Sequence, residues 1–220
     1  LHEQAGHFSG GSSSLKENVM LATIILSAIA LFAVIALMPL RASAHCDTED
    51  GPAVVDGHKA LQTGNVNYAL KWIFENGEAE LRPIFERAIR VRSLGGEAAE
   101  VADRHFLENL VRIHRAGEGA GYDGIKPTGT ALDPKVIAAD AAMLDGNLDP
   151  LLALMPAEQH AELRARFDRA RASLGYDIND LTAARAHVED YVSFFKYAEG
   201  HDHEHGHGGC GGAHHHHHAH

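Results

Sequence analysis

The chain carries a second copy of its own middle. Aligned without gaps at an offset of 82 residues, Pro52 falls on Pro134 and the match runs to Glu118 against Gly200, with 16 of the 67 aligned positions identical. Composition alone would give roughly five. Whatever unit the first copy builds, the second must build again, so the repeat constrains the fold more than any other feature. Its landmarks are Val54 with Val136, Gly64-Asn65 with Gly146-Asn147, Ala79-Glu80-Leu81-Arg82 with Ala161-Glu162-Leu163-Arg164, Phe85 with Phe167, and His105 with His187.

Each copy reads as helical. Apolar spacing after the leading proline predicts a helix over about 52–63 and 134–145, stopped by Gly64 or Gly146 as a left-handed C-terminal cap. Asn67 and Asp149 are expected to be N-caps of a short second helix, with Pro150 in its first turn. Third helices are expected over 78–92 and 157–173, and fourth helices over 97–116 and 179–199. No stretch alternates as a strand does, and the glycines between Gly117 and Asp133 preclude a helix there. The expected fold is therefore all-α: two four-helix units, 52–119 and 134–200, joined by a Gly-rich linker at 120–133. The simplest packing is a helical bundle with the two units face to face about a pseudo-twofold axis.

Both flanks differ in character from this middle. Met20–Leu40 is almost uncharged and apolar, long enough to span a bilayer or to form the core of a signal peptide. Pro39 breaks the run, and Ala42-Ser43-Ala44 supplies the small residues that a signal peptidase reads. Export to the periplasm or the extracellular space is expected, with residues 1–44 as extension and signal peptide and His45 as the first mature residue. The alternative is an uncleaved membrane anchor at 20–40. Residues 1–19 precede Met20 and do not enter the fold reading.

The formal net charge is −11. Glu3 and Glu17 balance Lys16 and Arg41, so all of it belongs to the part after Ala44. No basic stripe remains to meet phosphates, and nucleic acid is not an expected partner. The two cysteines, Cys46 and Cys210, lie outside the repeats. The fold needs no disulfide framework, and a bridge between the two is left open for an oxidising compartment.

Cleavage after Ala44 exposes His-Cys-Asp-Thr-Glu-Asp-Gly-Pro. The free amine and imidazole of His45 and the thiol of Cys46 then stand within two residues, with the carboxylates of Asp47 and Asp50 close behind. Residues 45–51 thus form a hook suited to a soft or borderline metal ion. This start resembles the N-terminal hook of nickel superoxide dismutase, which also begins His-Cys-Asp and has glycine at the seventh position, here Gly51. The resemblance implies nickel held by the amine and imidazole of His45 and by the amide and thiolate of Cys46, with a metal-dependent redox activity. Where that family has a second cysteine, this chain has Asp50. Over most of its length the chain resembles an uncharacterised family of exported bacterial and archaeal proteins marked by HCD-x-x-DGP (His45–Pro52) and RIHRAGEG (Arg112–Gly119). That resemblance implies export and a helical fold.

The last twenty residues, HDHEHGHGGCGGAHHHHHAH, include ten histidines. Neutral imidazoles bind nickel, copper and zinc, and His-x-His spacing on a flexible chain offers several coordination sets. His201, His203, His205, His207, Cys210, His214, His215, His216, His217, His218 and His220 are therefore candidate ligands. The segment has no apolar run, and its composition predicts disorder without metal. A purification tag would account for His214–His218 but not for the four histidines interleaved with Asp202 and Glu204.

Of the five histidines within the repeats, His58, His105, His114 and His187 stand out by position. His58 and its counterpart Asp140 each lie on an apolar stripe, with Val54, Val55 and Leu61 in one copy and Val136, Ile137 and Met143 in the other. They suit a hydrogen-bonded pair between the copies, or a ligand site. His114 is expected to point inward as a satisfied core histidine, and His105 outward with Glu108, Asn109 and Arg112. His105 and His187 match across the repeat, as packing relics or as sites.

The leading functional expectation is an exported protein that captures, buffers or delivers a transition metal, nickel or copper ahead of zinc. A second copy of the chain or a metal-trafficking protein is a compatible further partner. The rivals are a metal-dependent redox enzyme with His45 and Cys46 at its centre, and a helical interaction module in which the tail is incidental.

Overall fold

Pro52 and Pro134 each open a helix, where the missing N–H costs nothing and the fixed φ fits. In the computed structural model, residues 44–200 are described, and they fall within one compact unit. The expected signal or anchor segment at 20–40 and the candidate tail ligands from His201 to His220 lie outside the described residues.

Eight α-helices follow one another among the described residues. They are α1 (Pro52–Thr63), α2 (Asn67–Leu70), α3 (Glu78–Arg92), α4 (Gly96–Gly117), α5 (Pro134–Asp145), α6 (Asp149–Leu152), α7 (His160–Ala172) and α8 (Leu181–Glu199). Short 3-10 turns stand at Ala44–Asp47, Glu75–Gly77, Ala157–Gln159 and Ser173–Gly175. The only β pairing among these residues is an isolated parallel bridge between Thr48 and Lys126. The fold class is all-α, as the sequence predicts, and α1, α2 and the first 3-10 turn of the repeat recur 82 residues later with identical bounds.

Gly64 and Gly146 end α1 and α5 at φ of 69° and 82°, the left-handed conformation that a side chain resists. The short helices differ from expectation by their caps. Asn67 and Asp149 are the first helical residues, and the side chains that turn the chain are Asn65 and Asn147. Asn65 Oδ1 accepts from the Asn67 amide at 3.0 Å, and Asn147 Oδ1 accepts from the Asp149 amide at 3.1 Å. Each is an Asx turn two residues upstream of the expected cap. Helix α8 begins at Leu181 instead of 179, because Asp180 caps it by accepting from the Ala183 amide at 3.0 Å. Residues 157–159 and 173 flank α7 as 3-10 turns.

Two hydrophobic clusters form, one per copy. Val54, Leu70, Leu81, Phe106 and Leu110 centre the first, and Val136, Leu151, Leu163 and Phe194 the second. The equivalent pairs Val54/Val136, Leu81/Leu163 and Phe85/Phe167 are buried in both. Helix α8 serves the two clusters at once: Val188 enters the first, Phe194 and Phe195 the second, and Tyr191 packs against both. Val55 and Ile137, read from the sequence as part of the apolar stripe, are 51% and 57% exposed. Helical spacing puts them at the stripe's edge, and the packed face is narrower than the periodicity suggests.

The linker does more than join the copies. Ile125 is buried in the first cluster, and Lys126 clamps the N-terminal segment by donating its amide to the Asp47 carbonyl at 2.7 Å and accepting from the Glu49 amide at 2.9 Å. The segment ahead of α1 is thereby fixed to the helical body.

Candidate functional site

His45 to Gly51 close on themselves before the chain enters α1. The Gly51 amide donates to the Thr48 carbonyl at 2.9 Å, and the Thr48 hydroxyl donates to the His45 carbonyl at 3.3 Å. A Cβ on Gly51 would lie 2.2 Å from the His45 carbonyl oxygen and 3.0 Å from that of Thr48. Both obstacles are backbone, so neither can swing aside. Gly51→Ala is expected to cost about 1–3 kcal/mol in chemical denaturation through this overpacking. An unchanged denaturation midpoint would show that the turn is not held as described.

The two residues at the head of this turn point to different copies. The ring of His45, 4% exposed, stacks on Phe195 of α8 with centroids 4.9 Å apart. Its Nε2–H donates to Asp140 Oδ2 of α5 at 2.6 Å, while the Tyr191 hydroxyl donates to Asp140 Oδ1 at 3.2 Å. Asp140 is therefore taken by His45 and Tyr191, and the pair with His58 that its stripe position suggested is not the one formed. Burial, Asp140 and the Cys46 thiol together push the Tyr191 hydroxyl well above its usual range.

Cys46 is a free thiol, half-buried, and packs against the first cluster. Burial raises its pKa far above the ordinary thiol value, and the carboxylates of Glu118 and Asp47 add to the effect against the opposing Arg115. In the metal-free, folded Cys210→Ser chain at pH 8, Cys46 should react with iodoacetamide more than about tenfold more slowly than in the denatured chain, since the thiolate is the reacting form. Equal rates would contradict the burial of the thiol.

Asp47 is 5% exposed and meets the equally buried Arg115, whose Nε is 3.4 Å from its Oδ2. Burial raises the Asp47 pKa, and Arg115 and His114 oppose the rise. Arg115 also donates from Nη1 to Glu118 Oε2 at 2.9 Å, and Lys196 Nζ stands 3.4 Å from Glu118 Oε1. His114 points inward as expected, with Nδ1–H donating to the Trp72 carbonyl at 2.6 Å. Asp50 is exposed, and its carboxyl lies below its usual range, chiefly through the Thr48 side chain beside it.

Of the four hook residues, Cys46 and Asp47 therefore join His114, Arg115 and Glu118 at the C-terminal end of α4. His45 joins α5 and α8, and Asp50 faces solvent. Among the described residues no group of three or more His, Cys, Asp or Glu side chains is drawn together closely enough to hold a metal ion. Arg115 and Glu118 were missed as site residues, although both lie in the RIHRAGEG stretch, one and four positions beyond His114.

The two histidines that the repeat aligns sit in different surroundings. His105 is exposed, with Asn109 Nδ2 donating to its carbonyl at 2.8 Å. His187, buried and stacked on Tyr176 at 4.9 Å, has its pKa lowered by burial and by Lys71. Beside it Lys71, 6% exposed, pairs with Asp56 at 2.7 Å and donates to the Tyr176 hydroxyl at 2.6 Å, while Trp72 Nε1 donates to Asp56 at 2.8 Å. This satisfied network ties α1 and the residues after α2 to the turn that precedes α8. No described helix is long and apolar enough to cross a membrane.

A family model described as a family of unknown function (DUF6448) matches residues 50–197. No curated protein and no solved structure matches the chain.

Proposed function

We propose that this chain, which belongs to the DUF6448 family, is an exported transition-metal-binding protein that captures, buffers or delivers nickel or copper, with zinc as a further candidate. The observation that carries the reading is the C-terminal segment, where ten of twenty residues are histidine and four of them alternate with acids and glycine. Imidazoles in that density have no other chemistry as apt as holding borderline divalent ions. The N-terminal His-Cys segment supports it.

The geometry of the body fits such a role. The tail follows Gly200 directly at the end of α8, and the same end of α8 meets the N-terminal segment: Phe195 stacks on His45, and Glu199 acts electrostatically on Cys46. The root of the imidazole-rich segment and the thiol thus share one end of the molecule. Ions gathered by the tail would be released next to Cys46.

Equilibrium dialysis of the full chain against nickel, copper or zinc tests the reading. It expects more than one ion retained per chain at micromolar free metal. Retention below one equivalent for all three metals would remove it, and the duplicated helices would then be better read as an interaction module.

A further inference from the structure

We infer that the solvent face of α5 is the contact surface of a weak, symmetric homodimer, in which the α5 helices of two copies of this chain pack antiparallel. The inference stands apart from the metal-binding reading, because it uses neither the histidine-rich segment nor Cys46.

Ile137, Ala141 and Leu144 all lie on the exposed side of α5, Ile137 at 57% and Leu144 at 87% exposure. At about 100° per residue they fall within an arc of about 60°, and Pro134 extends the row to the start of the helix. The one charged residue between Lys135 and Asp145 is Asp140, and it is turned to His45 and Tyr191 at 2.6 and 3.2 Å. A single exposed apolar side chain is ordinary, but a contiguous row of them marks a contact surface.

The repeat supplies an internal comparison. The counterparts of Ile137, Ala141 and Leu144 on α1 are Val55, Lys59 and Gln62, and all three are exposed as well. Both helices start at a proline, end at a left-handed glycine and bury the opposite face. The fold therefore accepts a charge and an amide on this face, and the second copy makes it apolar without need of its own packing.

Charge points to a second copy of the chain as the occupant. Lys135 stands in the first turn of α5 and Asp145 is its last residue, both on the same side of the apolar row. The Lys135 amide donates to Asp133, and Asp145 accepts from the Asn147 amide, but neither side chain is ion-paired among the described residues. A twofold axis beside Ala141 brings Lys135 of each copy toward Asp145 of the other and sets Ile137 against Leu144, while the opposite ends of the helix dipoles meet. The small Ala141 at the centre lets the two helices approach closely. On α1 the counterparts of Lys135 and Asp145 are Ala53 and Thr63, so this pairing too belongs to the second copy alone. A net charge of −11 makes an anionic lipid surface a poor alternative. With 12 residues, α5 is about 18 Å long, which falls short of a standard interface and makes the dimer weak and concentration-dependent.

Sedimentation equilibrium of the full chain in EDTA, which removes metal bridging through the histidines, tests this. The weight-average mass should rise from one chain toward two between about 1 µM and 1 mM. Leu144→Lys places a cation in the last helical turn, where the dipole favours it, and should weaken association at least about tenfold. Leu94→Lys, at a leucine 76% exposed between α3 and α4, is the control and should leave it unchanged. Lys135→Glu should weaken the dimer about threefold or more, and adding Asp145→Lys should restore it, which the antiparallel arrangement alone explains. Far-ultraviolet circular dichroism checks that each variant is folded. A monomer at every concentration would overturn the inference, as would association that Leu144→Lys leaves intact or that Leu94→Lys weakens equally. Failure of the double charge variant to recover would also overturn it. A monomer that floats with phosphatidylcholine vesicles until Leu144→Lys releases it would overturn it in favour of a lipid surface. None of these outcomes bears on metal retention, which the dialysis reads separately.

Discussion

A chain ending at Gly200 is expected to bind at least two fewer metal ions than the full chain, while its helical content and melting temperature stay nearly the same. The ten histidines removed are most of the eighteen in the sequence, and each His-x-His set can close on one ion. The removed residues offer no apolar run that could contribute to either hydrophobic cluster, so the expected change in stability is within roughly 0.5 kcal/mol. In the presence of metal the full chain gains nothing in melting temperature from tail-bound ions unless the tail also contacts the body, because only binding that depends on the fold stabilises it. Metal titration and thermal melting of the two chains side by side read both effects. A large loss of helix on truncation would mean that residues beyond Gly200 pack against the body, and an unchanged stoichiometry would move the metal sites elsewhere.

Arg115→Ala is expected to be among the most destabilising single changes in the body, at about 3–5 kcal/mol, because it leaves Asp47 buried without its cation. Arg115 and Asp47 are each about 5% exposed, and Glu118 loses its closest donor in the same change. The sign of the pH dependence follows from Asp47. Its folded-state pKa is raised by burial, and loss of Arg115 raises it further. A carboxyl raised on folding binds more protons in the native state, so its penalty is absent below the unfolded value of about 3.9 and grows as pH rises toward the folded value. The variant should therefore approach the parent's stability near pH 4 and fall away from it toward pH 7. Asp47→Asn combined with Arg115→Met should recover much of the loss, since removing both charges leaves no unpaired ion. Urea denaturation of the parent, Asp47→Asn, Arg115→Met and their combination measures the coupling, and a coupling near zero would show that the pair is not an interacting one.

Local signals in the sequence carried the helices well. Pro52 and Gly64 bound α1 as written, and Pro134 and Gly146 bound α5, because helix starts and stops are matters of φ and of missing donors that a single residue decides. The caps of α2 and α6 were misplaced by one residue: Val66 and Leu148 take the N-cap positions without a side-chain bond, and Asn65 and Asn147 turn the chain one step further out. The exposure of Val55 and Ile137 depends on how wide a face the neighbouring helices cover, which periodicity does not specify.

Tertiary partners were harder to read. Asp140 lies 95 residues from His45, and nothing local in either segment announces their pairing. His58 was the natural candidate, because the repeat relates it to Asp140. The inward turn of His114 followed from helical phase, but the carbonyl it meets belongs to Trp72, 42 residues away. The hook was read as a contiguous chelate because its donors are consecutive. In the folded chain consecutive side chains diverge, and His45 and Cys46 serve different copies of the repeat.

Native mass spectrometry of the protein recovered from its own host tests the central claim most directly, because one spectrum reports the N-terminus and the bound metal together. The account predicts a chain that begins at His45, as the Ala-Ser-Ala motif directs, and that carries more than one nickel, copper or zinc ion. A chain that retains no transition metal after recovery, whatever its first residue, would contradict it.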